Sequence, residues 1–161
     1  MMKLSWGLLV MCFMLSACIK SKDCPYKENN VIAPLSEQQQ IETYLSANGL
    51  TVSRHSSGFY YQIITQGSGK TPAFCSTISV GYSGKLTNGS VFDSQSRISF
   101  ELGGAIEGWK KGIPLIQKGG RIKLYIPPSL GYGAYDVKEG NTVVIPANSM
   151  LIFDVELFDV N

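Results

Sequence analysis

Few side chains in this chain of 161 residues have the types and spacing of conventional catalytic machinery. His55 is the single histidine, and it stands in the polar stretch Ser-Arg-His-Ser-Ser-Gly. One imidazole supplies neither a zinc constellation nor a serine–histidine triad, so His55 reads as a solvated linker side chain. Asp154 and Glu156 fall on one face of an alternating stretch, about 6–7 Å apart by strand rise. They oppose Phe153 and Val155 and read as a solvated face rather than an acid–base pair. The stretch Gly-Ser-Gly-Lys-Thr at 67–71 invites a phosphate-loop reading. That loop needs a glycine where Ile64 stands, and a helix where Pro72 and a further strand follow. No metal-ligand spacing occurs, and no cofactor is called for.

What remains is a set of aromatic and aliphatic groups near turns: Tyr82, Phe92, Ile106, Trp109, Tyr132, Ile145 and Phe153, with one well-placed acid, Asp93. Trp109 sits in "GGAIEGWKKGIPLI", among glycines at 103, 104, 108 and 112. Tryptophan usually buries most of its area, whereas glycine is poor helix material. The combination suggests that ring and backbone together line a small hollow. Such a hollow would act by excluding water and fitting an apolar group.

These residues need a frame. Hydrophobic residues make up 44% of the chain and charged residues 16%, a globular composition. The net charge of +2, with no basic run, leaves no electrostatic footprint for nucleic acid. From residue 58 the apolar period is two. Strands are expected at "FYYQIIT", "CSTISVGYSGKL", "RISFEL", "GRIKLYI" and "SMLIFDVELF". In the fourth, Ile122, Leu124 and Ile126 form the apolar face against Arg121, Lys123 and Tyr125. A short helix is expected from Gly108 to Ile116, cut or kinked at Pro114. The expected fold class is α+β: an antiparallel half-barrel wrapped on that helix. Before it, Ile41, Tyr44 and Leu45 predict an amphipathic helix over 36–48, with Ser36 and Gln39 at capping-box spacing, docked on the domain.

The N-terminus carries Lys3 and then an apolar run from Leu4 to Leu15, the plan of a secretory signal. "LSAC" ends it and resembles the lipobox of bacterial lipoproteins. That resemblance implies a signal peptide at 1–17, acylation of Cys18, and a lipid-anchored tether over 18–34 that holds the protein to a membrane of the bacterial envelope. Ile19 follows Cys18 where an aspartate would favour inner-membrane retention, so the outer membrane is expected. Cys24 and Cys75 remain as an even pair in an oxidising compartment. A disulfide between them would pin the tether to the domain. The helix and linker then occupy 35–57 and the main domain 58–161.

Four stretches carry a second resemblance: "VGYSGKLTNGSVFDS", "FELGGAIEGWKKGI", "KGGRIKLYIPPSLGYGA" and "IPANSMLIFDVEL". In that order and spacing, from about Gly58 to Val160, they resemble the FK506-binding-protein (FKBP) family of peptidyl-prolyl cis–trans isomerases. The resemblance implies an apolar proline pocket with Trp109 as its floor. Ile106 would lend its backbone N–H to a ligand carbonyl, and Tyr82, Phe92 and Phe153 would form walls. Asp93 would be the polar group, and Tyr132 would donate its hydroxyl to a substrate carbonyl. Ile98, Ala105, Val144 and Ile145 would line the rim. Ala105 stands where the family often has valine and Ile98 where it often has an aromatic, which implies a wider pocket. The stretch "AYDVKEGNTVV" is longer than the loop usual there and is expected to overhang it. The implied partners are proline-containing polypeptides and FK506-like macrolides. The implied function is isomerisation of X–Pro bonds in exported proteins, the alternative being a proline-segment binding module or chaperone with little turnover.

Overall fold

The computed structural model describes residues 24–161. The expected signal peptide and Cys18 lie outside the described residues. Two helices and eight strands follow in chain order. They are α1 (Leu35–Ala47), β1 (Ser53–Arg54), β2 (Tyr60–Thr65), β3 (Thr77–Lys85), β4 (Val91–Glu101), α2 (Glu107–Gly112), β5 (Arg121–Ile126), β6 (Val137–Glu139), β7 (Thr142–Ile145) and β8 (Leu151–Val160).

Six strands form one antiparallel sheet in the order β1-β2-β5-β8-β3-β4, and β6-β7 forms a separate hairpin. The five expected strands are all present, as β2, β3, β4, β5 and β8. β4 begins at Val91, earlier than its apolar alternation from Arg97 predicts, because it pairs with β3 as far as Val91↔Lys85. β1 lies inside the expected linker, pairing Ser53 with Tyr61 and Arg54 with Tyr60. The expected overhanging loop is the β6–β7 hairpin, with Glu139 opposite Thr142 and Gly140 in the left-handed region at φ 59°.

The concave face of the sheet packs on α2. Ile78, Val80, Ile122, Leu124, Ile126, Val155 and Leu157 form one buried cluster with Trp109 and Ile113. The α-helix ends at Gly112, and a 3-10 turn at Ile113–Leu115 carries Pro114, which has no N–H to continue the ladder. Two glycines let α2 lie flush on β5. A Cβ on Gly108 would sit 2.6 Å from Ile126 Cδ1, and one on Gly112 would sit 2.7 Å from Leu124 Cδ2.

The opposite face is covered where α1 docks. Ile41 and Leu45 bury themselves against Tyr60, Tyr125 and Met150. Tyr125 is therefore only 3% exposed, although alternation places it on the polar face. A helix supplied from outside the strand pattern covers it. The expected Ser36 cap is absent: α1 starts at Leu35, and the Glu37 and Gln38 N–H groups donate to the Pro34 carbonyl. Glu37 instead faces the domain, where its carboxylate accepts from the Ser129 N–H at 3.0 Å and the Ser129 hydroxyl at 2.7 Å.

The three stretches discounted as chemistry have structural roles. The Gly67–Thr71 loop is tied to the 117–120 turn, with Ser68 N–H donating to the Lys118 carbonyl at 2.9 Å. Asp154 accepts two bonds from the Arg121 guanidinium at 2.8 and 3.0 Å. His55 is not a solvated linker side chain. It stacks on Phe59 with ring centroids 4.4 Å apart, and its Nδ1 accepts the Ser57 N–H. Burial, with the Lys111 charge behind it, lowers its pKa.

Candidate active site

A cavity of about 620 Å³ opens at the end of α2. Trp109 lies at its base, 5% exposed, and three rings meet it at close range. The Tyr82 and Phe153 centroids lie 5.1 and 5.2 Å away, nearly edge-on, and Phe100 lies 5.9 Å away. Phe92 meets Phe153 edge-on at 5.5 Å. Edge-to-face contacts of this kind fix ring orientation beyond what area burial does.

The backbone explains how the rings come together. Gly84 on β3 pairs with Asp93 on β4 and with Phe153 on β8. A Cβ there would fall 2.6 Å from the Phe92 ring and 2.8 Å from the Phe153 ring. The glycine of Tyr-Ser-Gly therefore makes room for both. Ile106 is the extended cap residue of α2, with φ −62° and ψ 155°, and its carbonyl accepts the Trp109 and Lys110 N–H groups. That places Ile106 at the cavity wall directly before the floor.

The polar groups are few and grouped. The Tyr82 hydroxyl donates to Asp93 Oδ2. Burial, then the hydrogen bond to Asp93 and the carboxylate charge, raises the Tyr82 pKa far above that of a free phenol. Burial raises Tyr132 as well, and Asp93 adds to the effect. Both phenols remain donors throughout the physiological range. Trp109 Nε1 is buried with no hydrogen-bond partner among the described residues. An unpaired buried donor costs about 1–3 kcal/mol.

All seven residues expected to form the pocket line this one cavity: Tyr82, Phe92, Asp93, Ile106, Trp109, Tyr132 and Phe153. Ala105 lines it too. The other expected rim residues do not. Ile98 is 40% exposed on β4, while Val144 and Ile145 on β7 pack into the main core. The β6–β7 hairpin directs Val137 and Val144 inward as well, so it contributes no lining residue.

Four lining residues were not expected: Tyr26, Phe100, Glu101 and Gly104. Phe100 and Glu101 belong to the Phe-x-Leu-Gly stretch and Gly104 follows it, so that motif was the signal that could have found them. Tyr26 was not, because it reaches the cavity from the tether.

Among the described residues, no group of three or more histidines, cysteines or acids could hold a metal ion. Residues 69–158 match the model of the FKBP-type peptidyl-prolyl cis-trans isomerases. The chain belongs to this family. A probable FKBP-type isomerase of Haemophilus influenzae is 44% identical over 119 residues, covering 71% of this chain and 48% of that protein. The isomerase FkpA of Escherichia coli is 42% identical, covering 74% of this chain and 43% of its own length. The chain thus spans about half the length of the curated relatives it matches. The crystal structure of Escherichia coli FkpA superposes with a TM-score of 0.66 at 39% identity, over 79% of this chain and 58% of that one. That of AtFKBP13 gives 0.63 at 33% identity, over 69% and 99%. The FKBP half-barrel is the fold of this chain.

Proposed function

We propose that the protein is a peptidyl-prolyl cis–trans isomerase whose cavity over Trp109 receives the proline ring of a polypeptide. The observation that carries this reading is the convergence of Tyr82, Phe92 and Phe153 on Trp109, with Asp93 held by the Tyr82 hydroxyl.

Resonance opposes rotation about a peptide bond with a barrier of about 18–20 kcal/mol, so uncatalysed X–Pro isomerisation takes tens to hundreds of seconds. Water stabilises the planar, more dipolar amide. An apolar cavity removes that stabilisation, and a shape fitted to the twisted amide binds the transition state better than either planar form. In this scheme Trp109 is the floor and Tyr82, Phe92 and Phe153 are walls. The Ile106 N–H and the Tyr132 hydroxyl hold substrate carbonyls. Asp93 faces the rotating amide and is oriented by Tyr82. Ala105, small where a branched side chain is common, widens the entrance. No bond is made or broken, so neither nucleophile nor cofactor enters the scheme.

FK506-like macrolides fit the same cavity in this reading. The clients are exported proteins, and the protein is lipid-anchored through Cys18 in the bacterial envelope, with the outer membrane favoured. The Leu-Ser-Ala-Cys run and the Cys24–Cys75 disulfide support that location. The test is substitution at the floor and at the acid. Trp109→Ala and Asp93→Val should each lower kcat/KM for a proline tetrapeptide, the former by about ten- to a hundredfold, the scale of one buried aromatic. Unchanged activity in both would remove the site assignment.

A further inference from the structure

The tether does not hang free of the cavity. Cys24 is bonded to Cys75 in a disulfide, with Cα atoms 5.6 Å apart. Two residues on, Tyr26 lies across the turn Leu102–Gly104 and lines the cavity. Its ring rests directly on Gly103, where any Cβ would overlap it, and its hydroxyl lies over Gly104. The other side of the clip is equally tied. The Gly103 N–H donates to the Phe74 carbonyl at 2.7 Å, and the Leu102 N–H to the Ser76 carbonyl at 3.0 Å. Cys75 therefore sits between the two residues that hold the turn.

Beyond Tyr26 the tether stays down. The Asn29 carbonyl accepts from Lys111 Nζ on α2 at 2.6 Å, and the Ala33 N–H donates to the Ser57 carbonyl at 2.9 Å. Tyr26 is thus fixed from both directions, while its ring is only half-buried and faces the cavity. A tyrosine held this way supplies a large contact surface with little entropy left to lose on binding.

We propose that Tyr26 is a substrate-contacting wall of this pocket, delivered by the Cys24–Cys75 clip, and that it sets affinity for the polypeptide segment passing Ala105 and Ile106. The inference rests on the isomerase reading above. It makes a residue outside the half-barrel part of the binding surface. It also gives Gly103 a reason: only glycine admits the ring.

The experiment compares four full-length chains on one tetrapeptide, Ala-Leu-Pro-Phe. They are the unaltered protein, Tyr26→Ala, the pair Cys24→Ser with Cys75→Ser, and the three substitutions together. Tyr26→Ala should raise KM by about three- to tenfold, the scale of one aromatic contact, with kcat held within about twofold. The cysteine pair should raise KM similarly, and adding Tyr26→Ala to it should change nothing more, because the clip acts through Tyr26. A KM within about twofold of the unaltered protein in Tyr26→Ala would overturn the proposal, as would a loss confined to kcat. Additive effects in the triple variant would overturn the role of the clip. If the cysteine pair melts below the assay temperature, Tyr26→Ala in the disulfide-bonded chain decides alone. Absence of turnover in the unaltered protein would sink the isomerase reading instead. The dissociation constant of the same peptide, read from tryptophan fluorescence, would then decide on Tyr26 by the same ratios.

Discussion

At the scale of single residues the cavity is an apolar box with one polar corner. Tyr82 belongs to both parts: its ring meets Trp109 edge-on, and its hydroxyl donates to Asp93. Tyr82→Phe separates the two, keeping the ring and deleting the donor. We expect kcat/KM to fall about two- to tenfold, the net worth of one ordinary hydrogen bond in a partly solvated site. The phenol's pKa is raised by burial and by Asp93, above its ordinary 10.0. Its stabilising contribution is therefore complete below pH 10 and is lost only as pH rises on through the folded value. A rate profile followed from about pH 7 to about pH 10 should show no step from this phenol, and Tyr82→Phe should lower the whole profile evenly. A step present in the unaltered protein and missing in the variant would contradict the assignment.

At the scale of elements, close approach of α2 to β5 positions the floor. Alanine is the better helix former by about 1 kcal/mol, so propensity alone favours Gly108→Ala. Packing opposes it, because the added Cβ would fall 2.6 Å from both Cδ1 and Cγ2 of the fully buried Ile126. The packing effect, about 1–3 kcal/mol, is the larger, and the expected outcome is a net loss of up to about 2 kcal/mol in denaturant unfolding. A gain would show that α2 can lift from the sheet without penalty. The same elements show what the sequence makes legible. Five strands could be read because each runs for six or more residues and is rich in β-branched or aromatic side chains. β1 could not, being two residues long and held only by pairing with β2. Tyr125 reads as exposed because its cover, α1, arrives from a distant part of the chain. Ser36 has the chemistry of a cap, but Pro34 already supplies the extended residue and the accepting carbonyl two residues earlier.

At the scale of the whole molecule, the candidate site was legible wherever a local motif carries it. Tyr82, Phe92, Asp93, Ile106, Trp109 and Tyr132 each sit on a recognisable stretch, and all of them line one cavity. The rim was less legible. Val144 and Ile145 were expected at the rim, but the stretch folds as a hairpin that buries Ile145 in the core and packs Val144 against it. Tyr26 had no local signal at all, since its place depends on a disulfide spanning 51 residues and on a glycine without a side chain at 103. The work proposed for this cavity is acceleration of X–Pro isomerisation. The measurement that tests it most directly is a protease-coupled isomerisation assay on the full chain, with and without FK506. Faster cis-to-trans conversion that FK506 blocks is the expected result; folded protein that leaves the uncatalysed rate unchanged would rule out the isomerase.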